Sequence, residues 1–327
     1  MIVMLVDGGD CLTDLGALRD QPELFGRVCS NSTAARVVWA VGEHELELIR
    51  EARAGARQRA WALGAAPERI VLDLDASLVT GHSEREQAAP TWKRGFGFHP
   101  MLGFLDESRE ALAGVLRPAN AGLKTAIDKL AVVAEALRRI PPERVAQATR
   151  EDASEAERII VRCDSAGATH ELLDGCREMG LRFSVGFPIE ESLGRVILSL
   201  KAWPWRAALD SDEGPRKGAS IAELPARLIP TGWPQGSRLI VRKERPHAGA
   251  QRSFSDLDGH RFQLVLTDQT GDARELERAH RARGDAENRV RQAKDCGMRN
   301  LPRPPRHDPH PPKLALERRS DLCLPTA

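Results

Sequence analysis

Hydrophobic and polar positions follow two different rhythms along this chain, and the switches between them divide it. Residues 1–68 run at helical spacing: Asp10 to Phe25 is mixed and amphipathic, and Ser30-Asn-Ser-Thr33 offers cap-type side chains before a long Ala, Arg and Glu-rich segment ending near Gly64. At Arg69 the texture changes. Ile70-Val-Leu-Asp-Leu-Asp-Ala-Ser-Leu-Val79, bounded by Pro67 and Gly81, reads as a buried strand. Residues 95–106 and 110–117 read as two further strands, an antiparallel pair joined around Glu107 to Arg109. A helix follows over Leu123 to Ile140, with Ala126, Leu130, Val133 and Leu137 on one stripe and Pro141-Pro142 as its stop. Arg158 to Asp164 is another buried strand with a carboxylate at its C-terminal end; Ser165-Ala-Gly167 turns into a helix reaching about Met179, and Arg182 to Phe187 is the next strand.

Residues 188–260 break this pattern with Trp203, Trp205, Trp233, several prolines and a short strand over Arg238 to Lys243. Arg261 to Thr267 resumes as a strand, and Asp272 to Lys294 reads as one long helix. The expected layout is therefore a helical N-terminal part (1–68), a core begun at 69–187, a β-rich insertion (188–260), completion of the core at 261–300, and a Pro/Arg-rich, disordered tail (301–327). The fold class is α/β, a mixed sheet flanked by helices. The order strand, strand, strand, helix, strand, helix, strand is that of a ribonuclease-H-like core, in which the first and fourth strands lie side by side.

Composition narrows this only a little. At 327 residues, 41% hydrophobic and 29% charged, the chain suits one large or two ordinary globular domains. No apolar run reaches the roughly 18 residues of a membrane span, and the acidic turn in MIVMLVDGGD argues against a secretory signal, so a cytoplasmic protein is expected. Six cysteines without a C-x-x-C pair give neither a zinc site nor a disulfide framework. Net charge is +1, yet from residue 280 onward eleven Lys/Arg face six Asp/Glu, so positive charge is concentrated late.

Candidate chemistry lies on three elements. Strand periodicity puts Asp73 and Asp75 on one face, and a buried carboxylate there needs either solvent at the strand end or a cation or metal opposite. Asp164 suits either a turn or a ligand. On the late helix, His280, Arg283, Glu287, Arg291 and Lys294 recur at spacings of three and four, one carboxylate among cations. That face fits a solvated surface laced with ion pairs, or a metal-binding carboxylate flanked by phosphate-holding cations. Three carboxylates on two adjacent strands and a helix are what two-metal phosphoryl transfer requires, since Mg²⁺ prefers oxygen ligands. His82 and His99 read as loop histidines, and the tryptophans as core packing of the insertion or as base-stacking platforms.

Longer stretches carry a resemblance: Leu72-Asp-Leu-Asp75-Ala-Ser-Leu-Val-Thr-Gly-His-Ser-Glu84, Gly95-Phe-Gly-Phe-His-Pro100, Leu116-Arg-Pro-Ala-Asn-Ala-Gly122, Arg162-Cys-Asp-Ser-Ala-Gly167, Arg242-Lys-Glu-Arg-Pro-His247 and Arg299-Asn-Leu-Pro302. In this order they resemble the DDE transposases of the insertion-sequence-thirteen-eighty family, within the insertion-sequence-four clan, over nearly everything from Gly8 to about Pro302. The clan's late signature of Tyr, Arg, Glu and Lys reads here His280, Arg283, Glu287 and Lys294, with histidine where the clan has tyrosine.

The resemblance implies Asp75, Asp164 and Glu287 as a metal-binding catalytic triad, with Asp73 the alternative first acid. It implies two Mg²⁺ ions, replaceable by Mn²⁺, and DNA contacts from His280, Arg283, Arg291 and Lys294. The reaction implied is attack of water on a DNA phosphodiester, then attack of the freed 3′-hydroxyl, with no covalent enzyme intermediate. Implied partners are the double-stranded terminal inverted repeats and target DNA, bound by a homodimer in a synaptic complex, with no membrane association and a bacterial, nucleoid-associated location. Relatives begin with a further helical region and continue after the residues matching Pro302 with apolar helices, whereas Arg303 to Pro312 is proline-rich; a truncated N-terminus and a frame change near residue 302 are the expectation. A silent remnant that only binds DNA or full-length relatives is the competing reading.

Overall fold

The computed structural model describes residues 2–9, 11–82, 88–91, 93–122, 126–199, 204–229, 231–246, 249, 251 and 256–299. Trp203 and the tail from 300 to 327 lie outside the described residues. Helices α1 (Ile2–Val6), α2 (Leu15–Arg19), α3 (Pro22–Phe25), α4 (Asn31–Ala40) and α5 (Glu43–Ala60) come first. Strands β1 (Val71–Ala76), β2 (Val79–Thr80), β3 (Ala89–Pro90), β4 (Phe96–Phe98), β5 (Met101–Leu105) and β6 (Ala111–Val115) follow, then α6 (Ala126–Arg139) and α7 (Pro142–Thr149). Next are β7 (Ile160–Cys163), α8 (His170–Glu178), β8 (Arg182–Phe187), α9 (Glu191–Ser199), β9 (Arg206–Leu209), β10 (Pro215–Leu224), β11 (Arg238–Glu244), β12 (Asp256–Leu257) and β13 (His260–Thr267), and the described part closes with α10 (Ala273–Arg281) and α11 (Gly284–Ala293). No helix among the described residues is long and apolar enough to cross a membrane.

The chain divides into two compact units. The first comprises residues 1–68, 74–144 and 286 onward; the second comprises 69–73 and 145–285, so β1 contributes residues to both.

In the first unit, Ser30 caps α4 as its residue type predicts, its hydroxyl accepting from the Thr33 amide at 3.2 Å. Met4, Leu15, Leu18 and Ala34 make a small core among the short N-terminal helices. Arginines fasten α5: Arg57 donates to both Glu110 oxygens at 2.7 and 2.5 Å and to the Arg139 carbonyl, while Arg139 grips Glu47 at 2.8 and 2.9 Å. The residues expected as one strand from 95 to 106 are two, because Pro100 has no amide to give a ladder. β4 pairs with β2 and β3 in a three-stranded sheet, while β5 pairs antiparallel with β6.

The buried stripe expected on α6 is corrected. The buried side is Ala126, Lys129, Val132, Val133, Ala136 and Arg139, leaving Leu130 and Leu137 half-buried. Gly103 explains the rotation, since a Cβ there would stand 2.9 Å from Val132 Cγ1 and only glycine lets the helix settle so close. Pro141-Pro142 ends α6 but also starts α7, with Pro142 at a first helical position where its missing amide costs nothing.

In the second unit the strand order is β1-β7-β8-β13-β11-β10-β9. β7 and β8 run parallel through the α8 crossover, and β13, β11, β10 and β9 continue antiparallel. The segment 188–260 is β-rich, and its strands extend this same sheet: β11 registers Val241 against Leu264 of β13. Ile240 of β11 and Val265 of β13 pack in one core with Ile221 and Leu276.

The single helix expected from Asp272 to Lys294 is corrected to two. The Arg283 amide turns back to the His280 carbonyl at 3.0 Å, and the Asp285 amide to that of Ala282 at 3.0 Å. Gly284 costs about 1 kcal/mol in a helix interior, and Asp285 in the first turn of α11 favours a new start. His280 on α10 therefore belongs to a different element from Glu287 and Arg291 on α11, with Arg283 in the link between them and Lys294 just past the end of α11.

Candidate active site

Asp164 ends β7 and begins a tight turn. Its carboxylate accepts from the Ala166 amide at 3.0 Å, heading the 3₁₀ turn Ser165–Gly167. Two glycines let this turn lie flat on the sheet. A Cβ at Gly186 would stand 2.8 Å from the Ser165 nitrogen, and one at Gly167 2.7 Å from both Cys163 Cβ and Sγ. The carboxylate thus sits at the C-terminal ends of two parallel strands, the place where open α/β sheets leave a crevice for ligands.

A cavity of about 520 Å³ opens there, wholly within the second unit. Asp164 and Ser165 form one wall, Phe187 and Pro188 another, and Arg242, Glu277, His280, Arg281 and Arg283 bring the polar groups. Glu277, 3% exposed, lies between Arg242 at 3.2 Å and Arg281 at 2.9 Å. Burial raises its carboxyl above the usual range, opposed by those two arginines. Arg242 also reaches Glu244 at 3.0 Å and the Gln263 amide oxygen, and Arg281 the Leu209 carbonyl. Sequence reasoning left out Glu277, Arg242 and Arg281 as site residues; the signal available was the i, i+4 spacing of Glu277 and Arg281 on α10.

His280 is not a cation. Burial, followed by the nearby Arg162 and Arg283 guanidiniums, pushes its pKa down to about 3, and Ser184 Oγ lies 2.9 Å from Nδ1. An uncharged imidazole contributes a hydrogen bond to the cavity, where a phenol would contribute the same kind of contact.

Asp73 and Asp75, which share a strand face, have different surroundings. Asp73 is fully buried, and Arg162, 3% exposed, holds both of its oxygens at 2.5 and 2.8 Å. Removing one partner of such a pair strands a buried charge at a cost of about 3–5 kcal/mol. Asp75 is half-buried and lies within electrostatic reach of Lys294, both in the first unit. The Lys294 ammonium is held below lysine's ordinary range, by burial first and then by Arg299 and Lys93, with Asp75 acting the other way.

On α11, Ala286, Arg289 and Val290 are buried, Arg289 reaching Asp106 Oδ1 at 2.8 Å and Val290 packing with Phe98 and Phe104. That leaves Glu287 and Arg291 on the exposed side, with half-buried Lys294 one turn on, and Arg291 bonds Asn288 at 3.0 Å. Among the described residues no three His, Cys, Asp or Glu side chains are grouped to hold a metal ion.

A family model for the transposase DDE domain, group 1, matches residues 1–304. The chain belongs to that family. No curated protein matches it. Among solved structures, a piggyBac transposase synaptic complex with hairpin DNA is similar at 10% identity and a TM-score of 0.42, over 77% of this chain and 45% of that one. The chain therefore spans under half the length of that transposase. The catalytic domain of the Mos1 mariner transposase is similar at 10% identity and a TM-score of 0.26, over 50% of this chain and 72% of that one. The chain thus carries a transposase DDE domain of mixed α/β architecture.

Proposed function

We propose that this protein cleaves and joins DNA strands at the ends of an insertion sequence of the thirteen-eighty family, using a ribonuclease-H-like core. The observation that carries the reading is Asp164 at the carboxyl end of β7 on a cavity rimmed by arginines, in a chain of the DDE family. Asp75, Asp164 and Glu287 are the acids, Asp75 being preferred to Asp73 because both Asp73 oxygens are engaged by a guanidinium. Carboxylates are hard-oxygen donors, the kind that Mg²⁺ or Mn²⁺ prefers. When bound, two such ions supply charge neutralisation at the phosphodiester and a stronger nucleophile.

The chain's own residues do the rest. Arg283, with Arg291 and Lys294, contacts backbone phosphates, and those contacts orient the strand without reading its sequence. Neutral His280 hydrogen-bonds in the cavity. Phe187 and Pro188 exclude water from one side. The partners are terminal-repeat and target DNA, engaged by a homodimer, in the bacterial cytoplasm at the nucleoid.

The test is strand nicking of duplexes carrying the cognate ends, followed by strand transfer, with Mg²⁺ present. Wild-type protein is expected to nick and Asp164→Ala to lose nicking by several orders of magnitude while still binding DNA. Salt-sensitive DNA binding with no cleavage by the wild-type chain would instead favour a silent, DNA-binding remnant.

A further inference from the structure

Arg162 holds more than Asp73. Besides its two bonds to that carboxylate, its Nη1 donates to the main-chain carbonyl of Ala279 in the last turn of α10. That carbonyl is available because the Arg283 amide, which in a continuing helix would come to it, bonds His280 instead. One buried guanidinium on β7 thus ties Asp73 of β1 to the Ala279 carbonyl of α10, and these three residues all belong to the second unit. Asp73 lies two residues before Asp75 on β1, and Arg162 two residues before Asp164 at the end of β7, so each member of the pair shares a strand side with a proposed catalytic acid. The third anchor, Ala279, precedes His280 directly.

We propose that Arg162, through Asp73 and the Ala279 carbonyl, is the positioning residue of the active site. It holds Asp73 and the end of β7 together and sets where α10 stops, and so where His280 and Arg283 enter the cavity. A pair kept only for stability is replaceable: two apolar residues of similar bulk in place of a buried ion pair are commonly neutral or better. A pair kept for placement is not. The inference rests on the proposed catalytic role of Asp75 and Asp164, but one readout does not depend on activity. Cys163 sits between Arg162 and Asp164, its sulfur covered by the turn at Gly167, whereas Cys176 is buried on a different element, α8, within electrostatic reach of Cys163.

The experiment compares wild type, Arg162→Lys and the double variant Asp73→Leu/Arg162→Leu. Measurements are urea unfolding, alkylation of each cysteine in the folded state followed by mass spectrometry, and nicking against Mn²⁺ concentration. The double variant is expected to keep the wild-type urea midpoint while Cys163 is alkylated at least tenfold faster and Cys176 at its original rate. Its half-saturating Mn²⁺ concentration should rise about tenfold at unchanged DNA affinity. Arg162→Lys, which keeps the charge without the fork, should fall between. Cys163 protected as in wild type, or both cysteines accelerating together, would overturn the placement role. If wild type fails to nick, the transposase reading falls, while the thiol result still decides this one. If the double variant fails to fold, Arg162→Lys carries the same cysteine comparison, and the same two outcomes uphold or overturn the placement role.

Discussion

Replacing Gly186 with alanine is the sharpest single probe of how Asp164 is held. The added carbon would stand 2.8 Å from the Ser165 amide nitrogen, 3.2 Å from the Asp164 carbonyl carbon and 3.3 Å from Ser165 Cα. All three are main-chain atoms, so no side chain can swing aside. Non-bonded heavy atoms settle near 3.5 Å, which requires a retreat on the order of half an ångström. β8 cannot supply it, because its parallel ladder to β7 holds Val185 opposite Cys163 and its antiparallel ladder to β13 holds Gly186 opposite Val265. The turn must therefore yield, taking the Asp164 carboxylate with it and stretching its 3.0 Å bond to the Ala166 amide. Overpacking of this kind costs about 1–3 kcal/mol. Urea unfolding of Gly186→Ala should show that loss, and nicking should fall about tenfold or more, because small displacements of a catalytic group are costly. Stability within about 0.5 kcal/mol of wild type together with unaltered nicking would refute the reasoning.

Three other outcomes follow from the same structure. Gly55 lies inside α5 with open space where a Cβ would stand, so Gly55→Ala should raise the urea-derived unfolding free energy by about 0.5–1 kcal/mol. His280 is neutral in the folded state down to about pH 3 but protonates near 6.5 when unfolded, so the unfolded chain binds the extra proton between those values. Stability should fall as pH drops from 6.5 toward 3, by up to about 1.4 kcal/mol per pH unit from this group, and His280→Gln should remove that component in pH-dependent unfolding. Burial pushes the Cys176 thiol up to about 12, and Cys163 is buried, whereas Cys11 and Cys29 are exposed. A thiol reagent at neutral pH should therefore label Cys11 and Cys29 promptly and reach Cys163 and Cys176 only on unfolding.

The local patterns were legible because their causes are local. Short runs of apolar and β-branched residues marked β1, β7, β8 and β13, and the serine and threonine around residue 30 marked the start of α4. The sequence by itself also placed a carboxylate at the end of β7, and of the five charged positions expected on one helix face it left Glu287 and Arg291 on the exposed side of α11, since strand and helix periods follow from backbone geometry alone. What tertiary structure decided is which charge meets which. Asp73 and Asp75 lie two residues apart on one strand side, yet one is paired with Arg162, 89 residues away, and the other lies near Lys294. At the break between α10 and α11 the Ala279 carbonyl accepts from Arg162, a residue on another element, and Gly284 opens α11. His280 became an uncharged group only through burial among guanidiniums from other elements. Desolvation and pairing of charge act through space, so a one-dimensional pattern names the candidates and the folded chain assigns their states.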